Sequence, residues 1–157
     1  MTKIIDPWGS VLVEDYAKLI KDFGLEQFSQ YLELFPNPTR LMRRGVVFAG
    51  RDVKRIAEAI KKKEDFYVLS GIMPSAEKIH LGTKMFIEDI RYFQDHGAET
   101  YVVIADLEAT AARGIEPKEA KRRALEFHIP AYIALGLDPK KTTFYFQSEN
   151  KEVMHLA

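Results

Sequence analysis

The chain has 157 residues, 46% hydrophobic and 29% charged, a composition that excludes an intrinsically disordered protein and suits one globular domain. Basic and acidic side chains number 23 each, so the zero net charge excludes nucleic-acid binding through a net basic surface and leaves only a local patch. Cysteine is absent and no apolar run is long enough for a signal peptide or a membrane span, so we expect a cytoplasmic protein without disulfides or a metal site of its own.

Residues 1–45 are predicted to form a mostly helical N-terminal extension. Helical spacing of apolar side chains indicates a first helix that stops at Gly24, and these side chains are Tyr16, Leu19, Ile20 and Phe23. A second short helix is predicted from Glu26 to Leu34, because the prolines at positions 36 and 38 would end it.

Residues 46–157 alternate between strands and helices. The pattern predicts a short strand or turn at 46–48, strands at 66–72, 101–105 and 142–147, and helices at 52–63, 81–96, 117–134 and from 150 onward. Such alternation implies right-handed crossovers, so the predicted fold class is α/β, with a Rossmann-like parallel sheet. Ligands bind these sheets at the carboxyl ends of the strands, which selects the loop after Ile72 and the residues after Ala105.

Three features of these elements are specific enough to test. The continuous apolar run at 101–105 predicts a strand buried on both faces. In the helix before it, Phe86, Ile90 and Phe93 are predicted to share one face. Pro130 is expected to kink the long helix after it.

The loop after the first long strand carries the candidate chemistry. It lacks the Gly-x-Gly-x-x-Gly pattern of a dinucleotide fold and instead has Gly71, then Pro74-Ser75, then His80-x-Gly82 at the opening of a helix. A helix N-terminus favours anions, a histidine there can donate to phosphate oxygens, and a glycine lets a nucleotide approach the backbone. In the alternative, structural interpretation, His80 caps the helix and Ser75 caps a turn.

This loop resembles a known signature. The stretch Pro74-Ser75-x-x-Lys78-Ile79-His80-Leu81-Gly82-Thr83 is similar to the HIGH signature of class I aminoacyl-tRNA synthetases, in the P-S-x-x-x-x-H-x-G-H form of the tryptophanyl and tyrosyl families. The segment 41–52, LMRRGVVFAGRD, resembles the (F/L)-x-R-R-G-(I/V)-x-F-x-x-R-D stretch of archaeal and eukaryotic tryptophanyl members. Asp6-Pro7-Trp8 and residues 15–24 are similar to the N-terminal extension of the same group. The resemblance therefore favours the tryptophanyl family.

The resemblance implies that residues 46–157 are the first half of a nucleotide-binding catalytic domain. The family activates tryptophan with ATP and Mg²⁺ and attaches it to tRNA(Trp), largely by positioning the reactants and stabilising phosphate charge. The residues it assigns to ATP binding are Gly71, Ser75, His80, Gly82 and Thr83, of which His80 and Thr83 are also catalytic. Thr83 replaces the family's second histidine, and its hydroxyl can donate one hydrogen bond but carries no charge.

The residues that would recognise the amino acid depart further from the family. Leu69-Ser70-Gly71 stands where tryptophanyl enzymes have Tyr-Thr-Gly, and Val103 stands where they have a glutamine. Glu108 matches a family glutamate. The resemblance thus gives the amino-acid-binding candidates Leu69, Ser70, Gly71, Val103 and Glu108. It leaves tryptophan supported by the other motifs rather than by the pocket.

Other charged residues leave two interpretations open. Glu108 is either a site residue or a solvated carboxylate, and Asp106 is either near the ligand or a cap of the turn after its strand. A local basic cluster either faces ATP or tRNA or is a solvated charged face, and its members are Arg40, Arg43, Arg44, Arg51 and Lys54.

Two family features have no match in the sequence. There is no lysine-rich KMSKS-type loop and no anticodon-binding helical domain, so we expect a fragment that cannot charge tRNA alone. We expect this fragment to self-associate or to be only marginally stable. The full-length protein is expected to be a homodimer. Three other hypotheses stay open: a tyrosyl-tRNA synthetase fragment, a small nucleotidyltransferase of the same superfamily, and a non-catalytic half-synthetase kept for binding tRNA or a partner.

Overall fold

The computed structural model describes residues 16–156, which form two compact units divided between residues 58 and 59. The predicted boundary after residue 45, which separates the N-terminal extension from the catalytic domain, is a different division and stays a prediction. The first unit contains α1 (Tyr16–Asp22), β1 (Glu26–Gln27), a 3₁₀ helix (Phe28–Leu34), α2 (Arg40–Arg43), β2 (Ala49–Gly50) and the start of α3 (Val53–Lys62). The Asp6-Pro7-Trp8 motif lies outside the described residues.

The first predicted helix is confirmed as α1, and the chain turns after it at Gly24, whose φ of 60° suits a residue without a Cβ. The second predicted helix, 26–34, is wrong in its first two residues and in its type. Glu26 and Gln27 pair antiparallel with β2, and a 3₁₀ helix follows them. The Glu26 side chain also accepts a hydrogen bond from the backbone N–H of Val53, 3.3 Å away, at the start of α3.

The second unit contains the parallel sheet. Its elements are β3 (Tyr67–Ile72), α4 (Leu81–Asp95), β4 (Glu99–Ile104), α5 (Asp106–Arg113), α6 (Pro117–Arg123), a π-helical turn (Ala124–His128), α7 (Ile129–Ala134), β5 (Thr142–Phe146), a 3₁₀ turn (Gln147–Glu149) and α8 (Lys151–Leu156). The strand order is β3-β4-β5 and both pairings are parallel, which confirms the predicted α/β sheet. The eight residues of α5 form a helix that the sequence pattern does not predict.

Helices cover one face of the sheet, and within residues 16–156 the other, open face is less buried. Alternate residues of β4 are fully buried, namely Thr100, Val102 and Ile104, whereas Tyr101 and Val103 on the opposite face are only half-buried. The prediction of a strand buried on both faces is therefore wrong for the described residues. The apolar run reflects β propensity as much as burial. The core on the covered face consists of Ile72, Ile87, Ile90, Val102, Ile104, Ala124, Tyr132 and Leu137.

Of the three residues predicted to share one face of α4, only Ile90 is buried. Ile87, Ile90 and Gln94 are buried, Phe93 is intermediate and Phe86 is 40% exposed. Gln94 is a buried polar residue with both ends satisfied. Its Nε2 donates to Thr142 Oγ1 at 2.9 Å, and its Oε1 accepts from Asp138 N at 2.8 Å. The amide thus joins α4 to the start of β5.

The long helix predicted at 117–134 is interrupted where Pro130 requires it. A proline has no N–H to donate and its ring clashes with the preceding turn. A π-helical turn precedes α7, and Pro130 lies in the first turn of α7. Gly136 follows the helix end with a φ of 103°. Among residues 16–156, no helix is long and apolar enough to cross a membrane.

Candidate functional site

The parallel register brings the ends of three strands to one edge of the sheet. Ile72 pairs with Ile104, and Ile104 with Phe146, so all three strands end at the same level. The backbone N–H of Ala105 donates to the carbonyl of Ile72 at 2.7 Å. Both places selected from the sequence therefore lie at this carboxyl edge.

His80 is the N-cap of α4. Its Nδ1 accepts a hydrogen bond from the backbone N–H of Thr83 at 3.3 Å, so the structural interpretation of His80 as a cap is correct. A neutral ring whose Nδ1 accepts must carry its proton on Nε2. The exposed side chain consequently keeps one N–H donor for a ligand.

Gly82 fits against the His80 ring. A Cβ at position 82 would lie 3.1 Å from His80 Nδ1 and 3.2 Å from its Cε1, which is tighter than ordinary packing. The glycine therefore lets the imidazole lie over the first turn of α4. This close approach gives the His-x-Gly spacing a structural reason.

A pocket of about 280 Å³ opens beside this turn, near the lower end of the volumes of ligand sites. Its lining consists of Gly71, Ile72, Met73, His80, Gly82, Thr83, Phe86, His128 and Tyr132. Four of the five predicted ATP residues are thus brought together. The fifth, Ser75, is exposed in the preceding loop, where its carbonyl oxygen accepts from Arg123.

The predicted amino-acid residues are divided between two faces of the sheet. Leu69, Gly71 and Val103 lie on the open face, and a Cβ at Gly71 would lie 3.3 Å from Val103 Cγ1. Ser70 lies on the opposite, core-facing side of β3. A groove of about 430 Å³ runs across the open face and is lined by Tyr67, Leu69, Glu99, Tyr101, Thr143, Tyr145, Asn150 and Val153.

The two acidic candidates after β4 differ in their surroundings. Asp106 is 5% exposed, and its carboxylate accepts from the backbone N–H of Ser148 at 3.1 Å and from the Ser148 hydroxyl. It therefore ties the end of β4 to the end of β5, a structural role. Glu108 is exposed in the first turn of α5.

Sequence reasoning missed three residues that line the pocket, namely Phe86 on α4, His128 in the π-helical turn and Tyr132 on α7. Burial raises the pKa of the Tyr132 hydroxyl to about 12. Sequence reasoning also missed Gln147, directly after β5, whose buried Oε1 accepts no hydrogen bond from the described residues. The signal that could have found Gln147 is its position as the last residue of the predicted strand 142–147, because ligands bind at the carboxyl ends of such strands.

The basic cluster of the first unit is largely engaged with its own chain. Arg51 Nη2 donates to the Phe23 carbonyl at 3.0 Å, Arg43 donates to the Pro38 carbonyl, and Lys54 pairs with Glu58 at 3.8 Å. These contacts favour the interpretation as a charged surface. Within the described part of the chain, no group of three His, Asp or Glu side chains could hold a metal ion.

Comparison with known proteins relates this site to one family. The family model for tRNA synthetases class I (W and Y) matches residues 61–157. The tryptophan–tRNA ligase of Aeropyrum pernix is 46% identical over 148 residues, which are 92% of this chain and 40% of the relative. Tryptophan–tRNA ligase 1 of Halobacterium salinarum is 40% identical over 153 residues, 98% of this chain and 29% of the relative.

Solved structures give the same relation. The crystal structure of tryptophanyl-tRNA synthetase from Aeropyrum pernix K1 matches with a TM-score of 0.82 and 43% identity, over 97% of this chain and 43% of that one. The tryptophanyl-tRNA synthetase of Encephalitozoon cuniculi, bound to tryptophan, matches with a TM-score of 0.77 and 30% identity, over 90% and 44%. The chain thus spans less than half the length of the relatives it matches.

Proposed function

The chain belongs to the class I tRNA synthetases for tryptophan and tyrosine, and on this premise we propose that it is the ATP- and tryptophan-binding part of an enzyme that activates tryptophan and attaches it to tRNA(Trp). The observation that carries the proposal is the pocket in which His80, Gly82 and Thr83 converge at the first turn of α4. The names of the relatives support tryptophan as the amino acid. The homodimer and the cytoplasmic location belong to the same proposal.

In the proposed reaction, the carboxylate of tryptophan attacks the α-phosphorus of ATP and pyrophosphate leaves. The protein's part is to hold the phosphates and to stabilise their charge. His80 Nε2–H and the Thr83 hydroxyl are the side-chain donors, and the N-terminus of the fifteen-residue helix α4 adds a positive dipole end. Mg²⁺ accompanies the ATP phosphates, and no described cluster of side chains is assigned to it.

Gly71 and Gly82 would leave room for the nucleotide beside the backbone, and Ser75 would contact it from the loop. Leu69 and Val103 would form the amino-acid side of the site together with Glu108. Ser70 has the weakest support, because its side of β3 faces the core. Substitution of each of these residues tests its proposed role, and His80 is the most informative position.

Isothermal titration of ATP, tryptophan and tyrosine into the purified chain tests the proposal. We expect ATP and tryptophan to bind and tyrosine not to bind. His80→Asn keeps a good N-cap and removes the imidazole donor, so it should lose ATP binding and retain stability, whereas His80→Ala should also lose about 1 kcal/mol of stability.

Each other outcome has a meaning. Unchanged ATP binding in both His80 variants would leave His80 as a cap only. Preference for tyrosine would identify a tyrosyl member of the family. Absence of binding by all three ligands would favour a non-catalytic half-synthetase.

A further inference from the structure

The loop between β3 and α4 has little structure of its own. Residues 75–78 are exposed, and within the loop only Pro74 is fully buried. One short backbone hydrogen bond, from Ser75 N to Met73 O at 2.7 Å, is its internal support. A loop of this kind needs external contacts if His80, at its end, is to keep one orientation.

Three consecutive loop residues receive such contacts from one helical segment. Arg123 Nη1 donates to the Ser75 carbonyl at 2.9 Å, and His128 Nε2 donates to the Ala76 carbonyl at 2.7 Å. Arg122 Nη2 donates to the Glu77 carboxylate at 2.6 Å. Two of the three acceptors are backbone carbonyls, so these contacts fix the path of the main chain and not only a side chain.

The two arginines are held in place before they reach the loop. Glu119 accepts from Arg122 Nε at 2.8 Å and from Arg123 Nε at 2.7 Å, and Glu126 accepts from Arg122 Nη1 at 2.7 Å. Hydrogen bonds from Arg122 and Arg123 lower the pKa of Glu119 to about 2. The guanidinium groups therefore point at the loop as parts of a network, which costs less side-chain entropy than isolated pairs.

His128 is the buried member of the set. It is 7% exposed, lies at the end of the π-helical turn and also lines the pocket beside His80 and Gly82. A backbone carbonyl can only accept, so Nε2 is the protonated nitrogen of the ring. Its Nδ1 is buried and has no hydrogen-bond partner among residues 16–156. The single useful hydrogen bond of this buried imidazole is thus the one to Ala76.

We propose that Arg123 and His128 are positioning residues, which clamp the Ser75–Ala76 backbone so that His80 and the first turn of α4 keep the geometry that binds ATP. Arg122 supports the clamp through Glu77. The proposal rests on the proposed function, which it deepens. It also gives the π-helical turn a purpose, because that turn determines where His128 lies relative to Ala76.

Amide hydrogen exchange of the peptide 75–80, together with ATP titration, tests the clamp in the full chain. Arg123→Ala and His128→Leu each remove one donor, and we expect exchange in this peptide to become roughly tenfold faster and ATP to bind roughly tenfold more weakly. His128→Gln keeps an N–H donor at a similar reach and should restore both. Arg113→Ala, an exposed arginine on α5, is the matched control and should change neither.

The two measurements separate the possible failures. Unchanged exchange in both Arg123→Ala and His128→Leu would overturn the clamp. Faster exchange with unchanged ATP affinity would overturn the positioning role. If the unsubstituted chain binds no ATP, the proposed function fails, while the exchange rates still decide whether the clamp exists. Equal loss in His128→Gln and His128→Leu would also contradict the hydrogen bond as the cause.

Discussion

Thr83 stands where the family signature has a second histidine, and its side chain lines the candidate pocket. Its backbone N–H, not its hydroxyl, completes the cap with His80, so the side chain can be changed without losing the cap. We predict that Thr83→His strengthens ATP binding by about fivefold, since a charge-assisted hydrogen bond exceeds a neutral one by about 1 kcal/mol. Titration about one pH unit below the ordinary histidine pKa of about 6.5, where the new imidazole is mostly charged, measures it. Thr83→Val is the control and should weaken binding.

We predict that the stability of the folded chain depends on pH through the carboxyl group of Asp89 on α4. No group in the described part of the chain forms a hydrogen bond with its buried Oδ1. Burial, followed by the negative charge of Glu88, raises the pKa of Asp89 from 3.8 to about 6. A carboxyl whose pKa is raised by folding favours the folded state below pH 3.8, and this contribution is lost as the pH rises through about 6. Ionised Asp89 is therefore a cost at neutral pH.

We predict that Asp89→Asn increases the free energy of unfolding at pH 7.5 by about 1–2 kcal/mol, a value reduced from the full shift because the side chain is partly exposed. Near pH 4 the two proteins should be almost equally stable. Urea denaturation at both pH values measures the difference. Asp95→Asn changes an exposed carboxylate of the same helix, and a similar gain there would assign the effect to helix charge instead.

Among the elements, α4 and β5 are joined by a buried amide that no apolar pattern predicts. Replacing Gln94 by leucine would leave Asp138 N without its acceptor and would remove the donor to Thr142 Oγ1, which keeps its own hydrogen bond to the Asp138 carbonyl. We predict a loss of about 2 kcal/mol in the free energy of unfolding, the usual cost of a buried unsatisfied group. Gln30→Leu alters an exposed glutamine and should stay within about 0.5 kcal/mol. Equal effects of the two substitutions would refute the role of this amide.

Local sequence patterns predict some of the helices and strands and miss others. The long strands and α4 were predicted within a few residues, because period and stop signals such as Gly97 are local. The exposed side of β4 was not predicted, since an apolar run does not say which face a neighbour covers. The 3₁₀ helix at 28–34 was missed because the pairing of Glu26 with Gly50 comes from another part of the chain.

The candidate site was predicted only where it is contiguous in sequence. The signature loop gave His80, Gly82 and Thr83 together, and the resemblance to the class I synthetases is confirmed. His128 and Tyr132 reach the pocket from a helix more than forty residues away. Nothing in their local pattern separates a pocket residue from a core residue, because both are apolar or half-apolar side chains on a buried helix face.

At the scale of the whole molecule, the open face of the sheet predicts self-association of the 157-residue chain. Tyr67 is 68% exposed and Leu69 54% exposed, and they border a groove of about 430 Å³ together with Tyr101 and Tyr145. Contiguous apolar surface of this kind favours contact with a second copy. We expect sedimentation velocity to show an oligomer that forms as concentration rises.

The double variant Tyr67→Thr/Leu69→Thr should shift that equilibrium toward monomer by at least about tenfold, because it removes much of the exposed apolar area and keeps β-branched residues in the strand. Leu107→Gln removes an apolar side chain that is 41% exposed on α5, outside the groove, and should leave the equilibrium unchanged. A monomer at all concentrations would contradict the prediction. Equal effects of the two variants would place the contact elsewhere than on the sheet, because only the double variant alters β3.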